Sequence, residues 1–298
     1  MEIKKETVQS ENARMWNRIV YDFKRSPQAI ISLAFLVFLI IVAILAPRIA
    51  TEDPINTNLG LRLRAPYGFK NYEPGFYFGT DALGRDVFSR MIYGARVSLL
   101  VGFSVVLISG SIGTLLGLLA GYFGGKVDDI IMRLADIMLA FPFMLLMLAV
   151  LAVIGPGLWN LIMVLGVTNW VSYSRVVRGQ VLSIREKEFV EAAREIGATN
   201  SHIIFQHILP NVVSSIVVIA SFSVASAIIS EATLSFLGLG VPASVPTWGT
   251  ILSEGRSYIT RGWWLMVLPG AGIAMTVLAI NVLGDWLRDI IDPRMHID

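Results

Sequence analysis

Six stretches of this chain stay apolar for long enough to cross a lipid bilayer, and that constrains its fold more than anything else in it. They are Ala29–Pro47, Val97–Phe123, Leu134–Ile154, Leu158–Val176, Val212–Leu237 and Trp264–Leu283. A transmembrane helix needs about 20 mostly apolar residues, and each block meets or approaches that length. Only 15% of the 298 residues are charged and the mean hydropathy is +0.67, whereas a soluble domain carries about a quarter charged residues. The expected fold is therefore an all-α membrane protein with six transmembrane helices. The fourth block is the most polar, with Asn169, Ser172 and Ser174, and without it the segment that follows would change sides.

Composition removes several function classes. The net charge of +2 is too small to argue for nucleic acid, and the absence of cysteine excludes disulfides, thiol catalysis and cysteine metal sites. The first 28 residues are polar for too long to read as a cleavable signal.

Basic residues set the expected orientation. Lys4, Lys5, Arg14, Arg18, Lys24 and Arg25 precede the first block. Lys126 and Arg133 follow the second, and Arg175, Arg178, Arg185, Lys187 and Arg194 follow the fourth. Arg288 and Arg294 lie in the tail. A cytoplasmic N-terminus gathers all of these inside, so both termini are expected in the cytoplasm. The resulting plan is a cytoplasmic arm over 1–28, a first helix over 29–47 and an extracytoplasmic loop over 48–96. A five-helix core over 97–287 then contains a cytoplasmic loop at 177–211, and a tail occupies 288–298. Trp159, Trp263, Trp264 and Trp286 fall at block ends, as interfacial anchors would.

The loop at 177–211 holds the stretch "FVEAAREIGATNSHIIFQHILPN", Phe189 to Asn211. Phe189, Ala193 and Ile196 recur at helical spacing, with Lys187, Glu191 and Arg194 on the polar flank. Gly197 suits a helix C-terminus, where a left-handed residue is least costly. Thr199, Asn200 or Ser201 can cap a second short helix that Pro210 ends. Such an amphipathic helix tethered at the membrane is either a docking element or an interfacial connector.

Glu191-Ala192-Ala193, then Gly197, then Leu209-Pro210 resembles the coupling loop of ABC-importer permeases. His207 stands where many members have isoleucine, and "HILPN" is similar to the peptide and nickel branch. Phe78–Leu99, Arg133–Pro142 and Glu231–Gly240 resemble further blocks of the second permease in dipeptide and oligopeptide importers. The resemblance implies a permease that is not itself an enzyme, importing small peptides, or alternatively nickel or another small solute. It also implies a heteromeric assembly with a second permease, two ATPases and an external solute-binding protein. In it Glu191, Ala192, Ala193, Gly197, Leu209 and Pro210 form the ATPase-coupling site, and ATP and Mg belong to the ATPases, leaving this chain without a cofactor.

Asp81, Arg85 and Asp86 invite an acid–base reading, but no histidine, Ser-His pair or metal cluster accompanies them, so an ion-pair network that fixes a turn is expected, with catalytic residues none. His202 and His207 lie five apart, about 140° around an α-helix, too divergent to ligate one metal from one face. "GYFGGKV", Gly121 to Val127, lacks the spacing and the Ser/Thr of a phosphate loop. Ser109, Gly113, Gly117 and Gly121 repeat every four residues, as a close helix–helix contact requires. Ser223, Ser226, Ser230 and Thr233 form a polar stripe that either lines a translocation path or bonds a neighbouring helix, and Glu231 joins them as a membrane carboxylate. Asp136 has Arg133 one turn away as an expected partner. A membrane enzyme built on the outer loop of Asp81, Arg85 and Asp86 is one rival class; an ion-driven secondary transporter is another, and it would want intramembrane ion ligands and two related halves.

Overall fold

The computed structural model describes residues 20–291. The arm before Val20 and the tail after Ile291, with Arg294 and His296, lie outside the described residues. Within them the regular structure is helical, with no β-strand and only isolated bridges at Ala65–Tyr72 and Thr80–Asp86 in the long loop before the second long helix.

We number the principal helices α1 (Pro27–Ile44), α2 (Val87–Phe123), α3 (Gly125–Leu139), α4 (Phe143–Ile154), α5 (Leu158–Thr168), α6 (Trp170–Ile184), α7 (Glu188–Glu195), α8 (Leu209–Phe236), α9 (Trp248–Gly255) and α10 (Trp264–Ile291). Four continuous helices are long and apolar enough to cross a membrane: α1, α2, α10, and α8 extended back to Asn200. The blocks expected as third and fourth spans take other forms. The third is split into α3 and α4, which meet at 86°. Pro142 explains the break, because it lacks an N–H and disfavours helical backbone at Phe141. The fourth is divided at Asn169, whose side-chain amide donates to the Leu165 carbonyl at 2.9 Å.

Two other boundaries move. Helix α2 begins at Val87, ahead of the expected Val97, because Asp86 caps it. The Asp86 carboxylate accepts from the Ser89 amide at 2.9 Å and the Phe88 amide at 3.4 Å. Pro210 does not end a helix. It sits in the first turn of α8, and the π-helical segment Ile203–Ile208 leads into it without interruption. There the Leu209 amide bonds to the Ile204 carbonyl, five residues back. A proline has no N–H to give to the carbonyl four residues earlier, so a one-residue shift of register just before it forfeits little.

Helix α2 is the central post, packed against α6, α8, α5 and α1. Its small residues allow the approach to α6. A Cβ on Gly113 would lie 2.4 Å from the Trp170 carbonyl oxygen, and one on Gly117 or Gly121 would lie 2.7 Å from the Cβ of Val177 or Val181. The glycine ladder is thus a contact within the chain. Many large apolar side chains face outward, among them Val153 (88% exposed) and Leu107 (71%), the pattern a lipid-facing bundle requires. Trp264, expected as an interfacial anchor, is instead buried, and its indole N–H donates to the Thr80 carbonyl at 3.1 Å.

Candidate functional site

The connector after α6 is built as a braced amphipathic helix. Helix α7 turns Val190 and Ala193 inward, onto a cluster with Val177, Val181, Ile184, Ile203 and Ile208. Phe189 (41% exposed), Ala192 and Ile196 (84% exposed) point the other way. The expected single stripe of Phe189, Ala193 and Ile196 is therefore two faces. Ala193 packs inside, while Phe189 and Ile196 lie outside with Ala192 between them. Val190, the real inward anchor, was missed because a short helix with apolar residues on both flanks has no unique register. Glu191 is exposed beside the outer face.

Gly197 closes α7 with φ of 78°. The Ala198 amide donates to the Ala193 carbonyl at 3.0 Å and the Gly197 amide to the Arg194 carbonyl at 2.9 Å, which together are the Schellman arrangement. Thr199 then caps the next turn, accepting from the His202 amide at 3.4 Å. Leu209 is half-buried against the same cluster as α7, and Pro210 is exposed.

This loop is fastened to the ends of α2 and α3. Tyr122 donates its hydroxyl to Asn200 at 2.8 Å, and the Arg194 guanidinium lies over the Tyr122 ring at 5.4 Å. Arg185 donates to the Gly121 carbonyl at 2.9 Å, and Arg178 forks onto both Asp128 oxygens at 2.5 Å. Asp136 pairs with Arg175 at 2.6 Å, not with Arg133. The nearer arginine in sequence lost to one on the facing helix.

The polar residues of α8 do not share one surroundings. Ser226 is exposed, Ser223 and Thr233 are half-buried, and Ser230 is buried. Thr233 spends its hydroxyl on the Ile229 carbonyl at 2.8 Å. Glu231 is wholly buried and faces α2, accepting from Ser235 at 2.9 Å and Ser98 at 3.2 Å. An open, mainly apolar groove of about 420 Å³ lies between α2 and α8, lined in part by Val106, Thr114, Tyr173, Phe205 and Ile216.

At the other end of α2 the carboxylates and arginines form a buried knot. Arg85 donates to Asp81 at 2.6 Å and to Glu254 at 2.5 Å, and Arg90 donates to the same two carboxylates. Asp86 is occupied as a helix cap, also accepting from Thr51 at 2.7 Å. Gly79 and Gly84, with φ of 75° and 74°, shape the turn. Arg90 and Glu254 were not foreseen. Glu254 is far away in sequence and nothing local marks it as a partner.

Residues 113–297 match the family of binding-protein-dependent transport system inner membrane components, and residues 14–66 match the N-terminal transmembrane domain of oligopeptide transport permease C. The dipeptide transport system permease protein DppC of Alkalihalophilus pseudofirmus is 42% identical over 280 residues, covering 94% of this chain and 90% of that protein. The oligopeptide transport system permease protein OppC of Bacillus subtilis is 37% identical over 291 residues, covering 98% and 93%. An inward-facing structure of the MetNI methionine ABC transporter shares the fold, with a TM-score of 0.57 at 21% identity, over 68% of this chain and 97% of that one.

The chain belongs to the family of ABC-transporter inner-membrane permeases. It is a multi-pass cell-membrane protein of the dipeptide and oligopeptide permease group, is not itself catalytic, and operates with an ATPase and other transporter components.

Proposed function

We propose that this chain forms part of the membrane passage of an ATP-driven importer for small peptides. Near-full-length identity to dipeptide and oligopeptide permeases carries the reading. In it the chain crosses the membrane six times, the bent α3–α4 pair and the α5–α6 pair each making one crossing, with both termini in the cytoplasm. It pairs with a second permease, two ATPases that hold ATP and Mg, and an external solute-binding protein.

Helix α7 serves as the docking element. Its outer face of Phe189, Ala192 and Ile196 is apolar yet exposed, while its inner face is seated on the bundle. A push on the outer face would pass through Val190 and Ala193 to Ile203 and Ile208, and so into the root of α8. The bundle would then rock between two accesses, with Ser223, Ser226, Ser230 and Thr233 as the candidate path lining. Glu231, also a candidate, is placed to tie α8 to α2 beside it.

Sidedness tests this directly. A reporter active only outside the cytoplasm is expected to work when fused within 50–80 and to fail when fused after Arg185. The opposite result would put α7 out of reach of any cytoplasmic ATPase and overturn the reading.

A further inference from the structure

The two histidines of the connector are closer than their spacing allows on an α-helix. The intervening backbone is a π-helix, Ile203–Ile208, which closes a turn roughly every 4.4 residues. Residues five apart therefore come round to nearly the same face. The ring centres of His202 and His207 are 5.6 Å apart, with the planes inclined at 67°. Two imidazoles on one tetrahedral ion, with metal–nitrogen bonds of about 2.0–2.1 Å, have ring centres roughly 5 Å apart. The observed separation is within about an ångström of that spacing.

The backbone beneath the pair is fixed at both ends. The His202 amide is bonded to Thr199, and the His207 carbonyl accepts from the Asn211 side chain at 2.7 Å. His202 is exposed and His207 half-buried, with the Phe189 ring 6.3 Å from His207 on one side. One side of the pair is thus open to solvent and the other is backed by an aromatic ring. Among the described residues no third histidine or carboxylate completes a closed cage, so the remaining coordination positions would be filled by water.

We propose that His202 and His207 form a two-imidazole site for a borderline divalent cation of the zinc, nickel or copper class. Imidazole suits these ions, whereas magnesium and calcium require oxygen donors. The ion would link His202, just before the π segment, to His207 within it and so favour the wound form of the lead-in to α8 over any unwound one.

The test uses the full chain without a polyhistidine tag, in a lipid nanodisc, carrying His296→Gln so that the probe reads only this pair. Titration with Cu²⁺ is expected to give one ion per chain whose electron paramagnetic resonance shows two equatorial imidazole nitrogens, competed off by a large excess of Zn²⁺ or Ni²⁺ but not by the same excess of Mg²⁺. His202→Gln and His207→Gln should each weaken binding by at least about tenfold and leave one nitrogen. His202 is exposed and His207 half-buried, and neither belongs to the hydrophobic cluster beneath, so both substitutions leave that cluster in place. Unchanged copper binding in either variant, or a single nitrogen in the parent chain, would overturn the proposal.

Discussion

Gly113→Leu is expected to leave almost no folded protein. A Cβ at this position would sit 2.4 Å from the Trp170 carbonyl oxygen and 2.5 Å from the Cβ of Tyr173. Neither atom belongs to the movable end of a side chain, so α2 and α6 would have to part. Overpacking by single methylenes costs about 1–3 kcal/mol, and a whole leucine wedged into a backbone contact exceeds that range. The check is the thermal unfolding and size-exclusion profile of the detergent-purified variant beside Gly179→Ala. Gly179 lies on α6 itself but has nothing within 4 Å of its added Cβ, so that variant should equal the parent or exceed its stability by up to about 1 kcal/mol, the helix-propensity gain of alanine over glycine. Equal stability of the two variants would mean the helices do not meet as described.

Arg90→Leu should be nearly as damaging. Arg90 is 1% exposed and bonds both Asp81 and Glu254, so its removal leaves two buried or half-buried carboxylates to share Arg85. Removing one member of a buried ion pair costs about 3–5 kcal/mol, because the orphaned charge stays desolvated. Adding Glu254→Leu to Arg90→Leu should recover part of the loss, since the knot then holds one arginine and one carboxylate. A double mutant that loses the sum of the two single losses would show that Arg90 and Glu254 act independently. The effect should appear as a lower unfolding temperature whether or not transport partners are present.

What could be read from the sequence, and what could not, divides along physical lines. Long apolar blocks report membrane helices by composition alone, so α1, α2, α8 and α10 were legible. The close contact of the glycine ladder was legible from small residues four apart on one helix, but not that its neighbour would be α6 of this chain. Gly197 announced its helix end, and φ of 78° with two Schellman bonds is what that position demanded. The bend at Pro142 was written in the sequence but hidden by the hydrophobicity of its flanks.

The rest depended on distance or on register. Glu254 meets Arg85 and Arg90 only after α9 folds back over the N-terminal end of α2. Asp136 chose Arg175 across a helix interface over Arg133 one turn away. The π segment could not be foreseen from its apolar spacing, and the separation of His202 and His207 was misjudged with it. Those misreadings fall where α7 is joined to α8, the stretch on which the proposed coupling depends.

On the proposed reading, α7 transmits work from a separate ATPase. The most direct measurement is ATP-dependent uptake of a labelled peptide, with co-purification of the ATPase, in membranes holding normal amounts of Glu191→Lys or Gly197→Val. Glu191 is exposed and its reversal leaves the bundle intact. Valine at Gly197 would have to adopt a positive φ that β-branched side chains resist, which displaces the turn. Both variants are expected to insert normally and pair with the second permease, yet to lose uptake through failed ATPase binding or hydrolysis uncoupled from transport. Full uptake by both variants would make this loop only a connector and leave α7 without a coupling role.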